Sequence, residues 1–110
     1  MKIENYQFGK IKINDKTYTN DLIVFKDKIK DNWWRKEGHL LQVKDLDSVF
    51  EKSPKLLIIG TGASGRMKVS DEVKEKLKQK EIEFKILKTK KACKVFNKTN
   101  HSAAALHLTC

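Results

Sequence analysis

The chain has 110 residues, 39% of them apolar, which is enough for one domain with a real core over residues 1–110. No apolar stretch approaches the roughly 18 residues of a membrane span, and the start, Met1-Lys2-Ile3-Glu4-Asn5, has no signal-type apolar run, so the expectation is a soluble cytoplasmic protein with no membrane partner. The net charge of +10 comes mostly from lysines scattered along the chain, with Arg35 and Arg66 the only arginines. That pattern, with no nucleic-acid motif, counts against a concentrated base-reading surface, and the expectation is weak, non-specific, salt-sensitive affinity for nucleic acid.

The first third reads as strands. Ile3–Phe8 and Lys10–Ile13 alternate apolar and polar residues, Asn14-Asp15 is a turn, and Lys16–Thr19 continues the pattern. Leu22–Phe25 is a short apolar strand, and Asp27-Lys28 turns it into Ile29–Trp34. Arg35 to Leu41 is loop-like around Gly38.

From residue 45 the pattern becomes αβαβαβ. Asp45–Glu51 is a short helix with Leu46, Val49 and Phe50 on one side, and Pro54 separates it from the next element. Leu56–Ile59 is a continuous apolar run, as a strand covered on both faces should be. Ser70 is an N-cap type followed by Asp71 and Glu72, so a helix runs over Ser70–Lys80. Ile82–Leu87 is a strand. Thr89 caps a helix reaching about Lys98, with Ala92, Cys93, Val95 and Phe96 inward, and Ser102–Thr109 is a last strand. The order predicts a compact single α/β domain: a central mixed sheet with helices, plus an N-terminal β-meander that extends or covers it.

The most suggestive motif is Gly60-Thr61-Gly62-Ala63-Ser64-Gly65, a G-x-G-x-x-G directly after a strand. In a dinucleotide site its last glycine lies in the helix, and an acid ends the next strand to hold the ribose. Here the helix waits until Ser70, and the next strand ends in Lys88 and Thr89, with Glu83 at its start. Both tests count against a nicotinamide cofactor, so no cofactor is expected and the glycines read as a wide turn with close packing. Ser64 is not a nucleophile elbow either, because Arg66 stands where the closing glycine would be. Together Thr61, Ser64 and His39 give only a weak hydrolase pattern. His39, His107, Cys93 and Cys110 have no zinc-type spacing, so no metal is expected.

The second suggestive motif is Trp33-Trp34-Arg35-Lys36-Glu37-Gly38-His39. Adjacent tryptophans in extended chain point to opposite faces, so one is core and the other lies near the surface. If both arginines border one cleft with His39 and the loop amides, the result is an anion site. The competing reading pairs Arg35 with an acid such as Glu37 or Asp21 and packs His39.

Beyond these readings, the chain resembles a known family end to end. The likeness runs through Tyr6-x-Phe8-Gly9, Tyr18-Thr19-x-Asp21, Trp33-Trp34-Arg35-x-x-Gly38-His39, Gly60-Thr61-Gly62-x-x-Gly65-x-Met67, Thr89-x-x-Ala92, Asn97 and Ala103-Ala104-Ala105-Leu106-His107. It is similar to the small single-domain family that includes the adipogenesis-associated domain protein and mitochondrial respiratory complex I assembly factor 3. The resemblance implies a compact α/β fold with a mixed sheet, and an assembly or regulatory role with no established enzymatic activity. The expectation is therefore a non-enzymatic binding domain for other proteins, with a small-anion site at the Gly60–Arg66 loop as the alternative. The candidate residues for ligand or partner are Trp34, Arg35, His39, Gly60, Thr61, Gly62, Ser64 and Arg66, and no catalytic residue is assigned.

Overall fold

The computed structural model describes residues 1–110. Three strands, β1 (Ile3–Gln7), β2 (Lys10–Ile13) and β3 (Lys16–Tyr18), form an antiparallel meander. Next come β4 (Leu22–Val24), β5 (Ile29–Lys30) and β6 (Leu40–Leu41), then a 3-10 turn and α1 (Asp47–Lys52). The remaining elements are β7 (Leu56–Gly60), β8 (Lys68–Val69), α2 (Asp71–Gln79), β9 (Glu83–Leu87), α3 (Thr89–Asn97) and β10 (Ser102–Leu106).

The central sheet has the order β5-β4-β10-β7-β9. Strand β7 runs parallel to both β9 and β10, while β4 is antiparallel to β10, so the sheet is mixed. Its two faces carry separate apolar clusters, because strand side chains alternate. Leu57, Ile59, Ala103 and Ala105 pack with Trp33, α1 and α2. Ile58, Ala104 and Leu106 pack with α3 and the meander. The meander thus covers one face, while β4 and β5 extend the sheet. Leu57, Ile58 and Ile59 are fully buried, each contributing about 1.5–3 kcal/mol against exposure. No helix is long and apolar enough to cross a membrane.

Helix α2 begins where its cap predicts: Ser70 Oγ accepts the Val73 amide at 3.3 Å, with Asp71 and Glu72 in the first turn. Several boundaries differ from expectation. The strand expected over Ile29–Trp34 stops at Lys30, because the chain leaves the sheet edge and the Trp33 amide bonds instead to Asp21 O. The loops at 35–41 and 60–69 contain one short strand each, β6 and β8, paired in parallel. Ladder pairing of the last strand ends at Leu106 rather than Thr109. Helix α3 is capped in position by Lys88, not Thr89, because the Thr89 hydroxyl is engaged elsewhere.

Candidate functional site

The carboxyl ends of β7, β9 and β10 and the amino end of β4 lie at one end of the sheet, and the chemistry-bearing residues gather there. Strand register brings the first two together. Leu106 pairs with Leu22, so the next antiparallel pair outward is His107 with Asp21. Both side chains fall on the α1/α2 face by alternation. His107 Nδ1 lies 2.7 Å from Asp21 Oδ2, and the Leu108 amide donates to Asp21 Oδ1 at 2.7 Å.

Arg35 completes the cluster. Its Nη2 is 2.8 Å from the same Asp21 Oδ2 and donates to Gly38 O at 3.0 Å. The guanidinium carbon sits 4.7 Å from the Trp33 ring centroid, a cation–π stack in a site where the Arg35 side chain is only 4% exposed. Trp33 is itself fixed by its indole N–H, which donates to Asp45 O at 2.8 Å. Burial pushes the Asp21 carboxyl up. The hydrogen bonds from His107 and the Leu108 amide, the His107 charge and the Arg35 hydrogen bond outweigh it and hold the group below its ordinary value. His39 is exposed, and its ring meets the His107 ring edge-on at 5.9 Å between centroids.

Three of the four buried side-chain nitrogen and oxygen atoms without a partner belong to this cluster: Arg35 Nε, Arg35 Nη1 and His107 Nε2. Such atoms are rare in folded proteins because each forfeits its hydration. Their concentration in one ion-pair cluster is the strongest site signal in the molecule.

The glycine loop has a different role from the one its spacing suggests. Its amides are spent inside the protein. The Thr61 amide donates to Leu87 O, Gly62 to Thr89 Oγ1, Ala63 to Thr109 O, Arg66 to Cys110 O and Met67 to Thr61 O. The glycines answer to crowding. A Cβ at Gly60 would lie 2.8 Å from Leu106 Cδ2 and 2.9 Å from Thr89 Oγ1. A Cβ at Gly62, where φ is +108°, would lie 2.8 Å from the carbonyl oxygens of both Thr109 and Cys110. The buried Thr89 hydroxyl accepts from Gly62 and donates to His107 O at 2.6 Å, tying three strand ends together.

Of the eight candidate residues, the structure brings three to one place. Arg35 and His39 both approach His107, and the His107 amide donates to Gly60 O. Thr61 and Gly62 are buried in packing, whereas Ser64 and Arg66 are exposed and Arg66 makes no ion pair. Arg35 therefore faces inward against Asp21, and the expected cleft joining both arginines to the loop is replaced by a packed cluster. Trp34 projects from the surface at 78% exposure. Asp21 and His107 were the residues missing from the candidate set. The available signal was positional, since each polar residue abuts a fully buried apolar run, Leu22–Val24 or Ala103–Leu106.

Cys93 is buried on the opposite face and burial pushes its thiol up to about 12, so it is packing rather than a nucleophile. No three His, Cys, Asp or Glu side chains gather with metal-binding geometry. The developed concavities lie elsewhere, one of them at the opposite end of the sheet between Phe25, Pro54 and Ala103.

Strands β9, β7 and β10 stand in the 2-1-3 order of an open doubly wound α/β core, with α2 and α3 on opposite faces. The polar cluster sits at the carboxyl end beside the switch between β7 and β10, where such sheets place ligands. That defines the class, an α/β domain with a buried Asp–His–Arg cluster at its switch point. The chain belongs to the family described as "Protein of unknown function (DUF498/DUF598)", whose profile matches residues 3–107. Among solved structures, it is 25% identical to a conserved hypothetical protein from Pyrococcus horikoshii, which covers 100% of both chains with a TM-score of 0.84. A protein described as an outer membrane protein from Bartonella henselae is 23% identical over 98% of this chain and 94% of its own, with a TM-score of 0.83. A Xanthomonas campestris protein, 16% identical over 96% of this chain and 83% of its own, gives 0.79. The last two likenesses speak to the fold alone.

Proposed function

We propose that this chain is a non-enzymatic cytoplasmic binding domain that docks another protein through the surface centred on Trp34. The observation that carries this is the exposure of Trp34 between two immobilised neighbours. Trp33 is held by two hydrogen bonds to Asp45 and Asp21, and Arg35 by its contacts to Asp21 and Gly38. A large aromatic side chain on a rigid base loses little freedom on binding, which is the property of an interface anchor. The second most exposed aromatic, Phe8 at 65%, belongs to the same network, because the Gly9 amide donates to Leu108 O and the Leu108 amide to Asp21. The family resemblance to assembly and regulatory proteins supports the same reading. A small-anion site in the Gly60–Arg66 loop has less support, since the loop amides are already committed.

The test is affinity capture from native lysate with wild-type and Trp34→Ala protein, followed by mass spectrometry of proteins and small molecules. An anchor is worth about 2 kcal/mol, roughly thirtyfold in affinity. The expected result is a co-purifying protein that is lost with Trp34→Ala while the melting temperature holds. Equal recovery with both baits refutes the assignment of Trp34.

A further inference from the structure

We propose that Arg35 and His107 form a buried receptor for one anionic oxygen group, borne by a phosphate or a carboxylate, beneath the Lys36–His39 turn. The site has donors that the fold does not use. Guanidinium carries five N–H donors, and Arg35 directs only Nη2 to Asp21 and Gly38, leaving the one on Nε and the two on Nη1. His107 leaves Nε2. The two groups touch, with Nη2 3.0 Å from His107 Nδ1, so the free atoms belong to two side chains in direct contact.

The charge count explains why an anion suits the site. Asp21 already balances Arg35, so an arriving anion brings one further negative charge. The doubly protonated imidazole answers it, because Nδ1–H then faces Asp21 and Nε2–H is a donor for the bound oxygen. The charged and titratable groups facing the imidazole are Asp21, Arg35 and His39.

Access runs through a cover one turn thick. Lys36, Glu37, Gly38 and His39 are all exposed, and nothing lies within 4 Å of a Cβ built on Gly38. The turn is held by the Arg35–Gly38 hydrogen bond, a single bridge between Glu37 and Leu40, the Lys36 amide to Asp45 Oδ1 at 3.4 Å and the Lys68 amide to His39 O at 2.8 Å. Releasing those few contacts uncovers the imidazole under His39. The proposal does not depend on the docking role of Trp34.

The experiment is an NMR titration of the intact protein with sodium phosphate and, separately, with sodium acetate, each against sodium chloride at equal ionic strength. The signals followed are Arg35 Nε–H and His107 Cε1–H. Saturable shifts of both with phosphate only, acetate only or either anion support the receptor and name its ligand chemistry. Asp27→Asn, at an exposed residue outside the cluster, is expected to keep the affinity, whereas His107→Gln and Arg35→Lys are expected to weaken it by about tenfold or more. Absence of saturable shifts in the wild type overturns the proposal. So do shifts that grow linearly and spread over the lysine-bearing surface, or equal titration of wild type and a folded His107→Gln variant.

Discussion

Asp21 is the single point where the cluster is most exposed to test. Asp21→Ala removes the carboxylate that pairs with Arg35, orients His107 and accepts the Leu108 amide. It leaves the Arg35 guanidinium, 4% exposed, without its counter-charge. Breaking a buried pair on one side costs about 3–5 kcal/mol. Asp21 is itself 17% exposed, so water reaches the gap and the lower end, about 3 kcal/mol, is the expectation. At roughly 4–8 °C per kcal/mol for a domain of this size, the melting temperature falls by about 12–24 °C. Differential scanning calorimetry at neutral pH measures it, with Asp27→Ala as the control. Asp27 meets Lys52 at 3.7 Å on the surface, so its loss is worth at most about 1 kcal/mol. The pH dependence adds a second check. The folded Asp21 carboxyl titrates below its unfolded value, so its contribution is complete above the unfolded value near 3.8 and disappears as pH falls through the lower folded value. Wild type thus loses this stability in acid while Asp21→Ala has none to lose. A fall of less than about 4 °C at neutral pH would show that the cluster is a solvated surface pair.

Gly62→Ala forces a positive φ on alanine and drives its Cβ against the carbonyls of Thr109 and Cys110, so about 2–4 kcal/mol of destabilisation is expected in urea unfolding. An unchanged midpoint would contradict the packing account of the loop. Native protein treated with a thiol reagent at pH 8 modifies Cys110, which is partly exposed, well before Cys93, as peptide mass mapping would show. Faster modification of Cys93 would place it outside the core. Gel shifts with unrelated duplexes at low salt detect weak binding that vanishes near physiological salt, because scattered lysines neutralise phosphates without reading bases. Sequence-selective binding at the higher salt would refute that.

Local patterns in the chain carried much of the architecture. The unbroken apolar run of β7, the Ser70 cap with its acids and the αβαβαβ order each rest on neighbouring residues, and such signals survive without tertiary knowledge. The Trp33-Trp34 stretch misled because its residues suit a strand, while one backbone bond to Asp21 O carried the chain away from the sheet. Strands of two residues, such as β6 and β8, are too short to show a period. The inward pairing of Arg35 with Asp21 was an alternative visible in the composition of the motif, but choosing it required the third member. Asp21 and His107 lie 86 residues apart, and only the antiparallel placement of β4 against β10 makes them neighbours. The glycine motif misdirects because spacing records where backbone must come close, not what it comes close to. Here it is the Thr109–Cys110 segment.

The strand that holds the central sheet together is the last of that sheet's five strands to be translated. Strand β10 lies between β4, translated about 80 residues earlier, and β7, so the two halves of the sheet have no common edge until Leu106 has emerged. The nascent chain must therefore keep the apolar faces of β4 and β7 apart from other molecules throughout its synthesis. Nascent-chain folding assays should register one late, concerted gain of protease resistance rather than stepwise protection from the amino terminus.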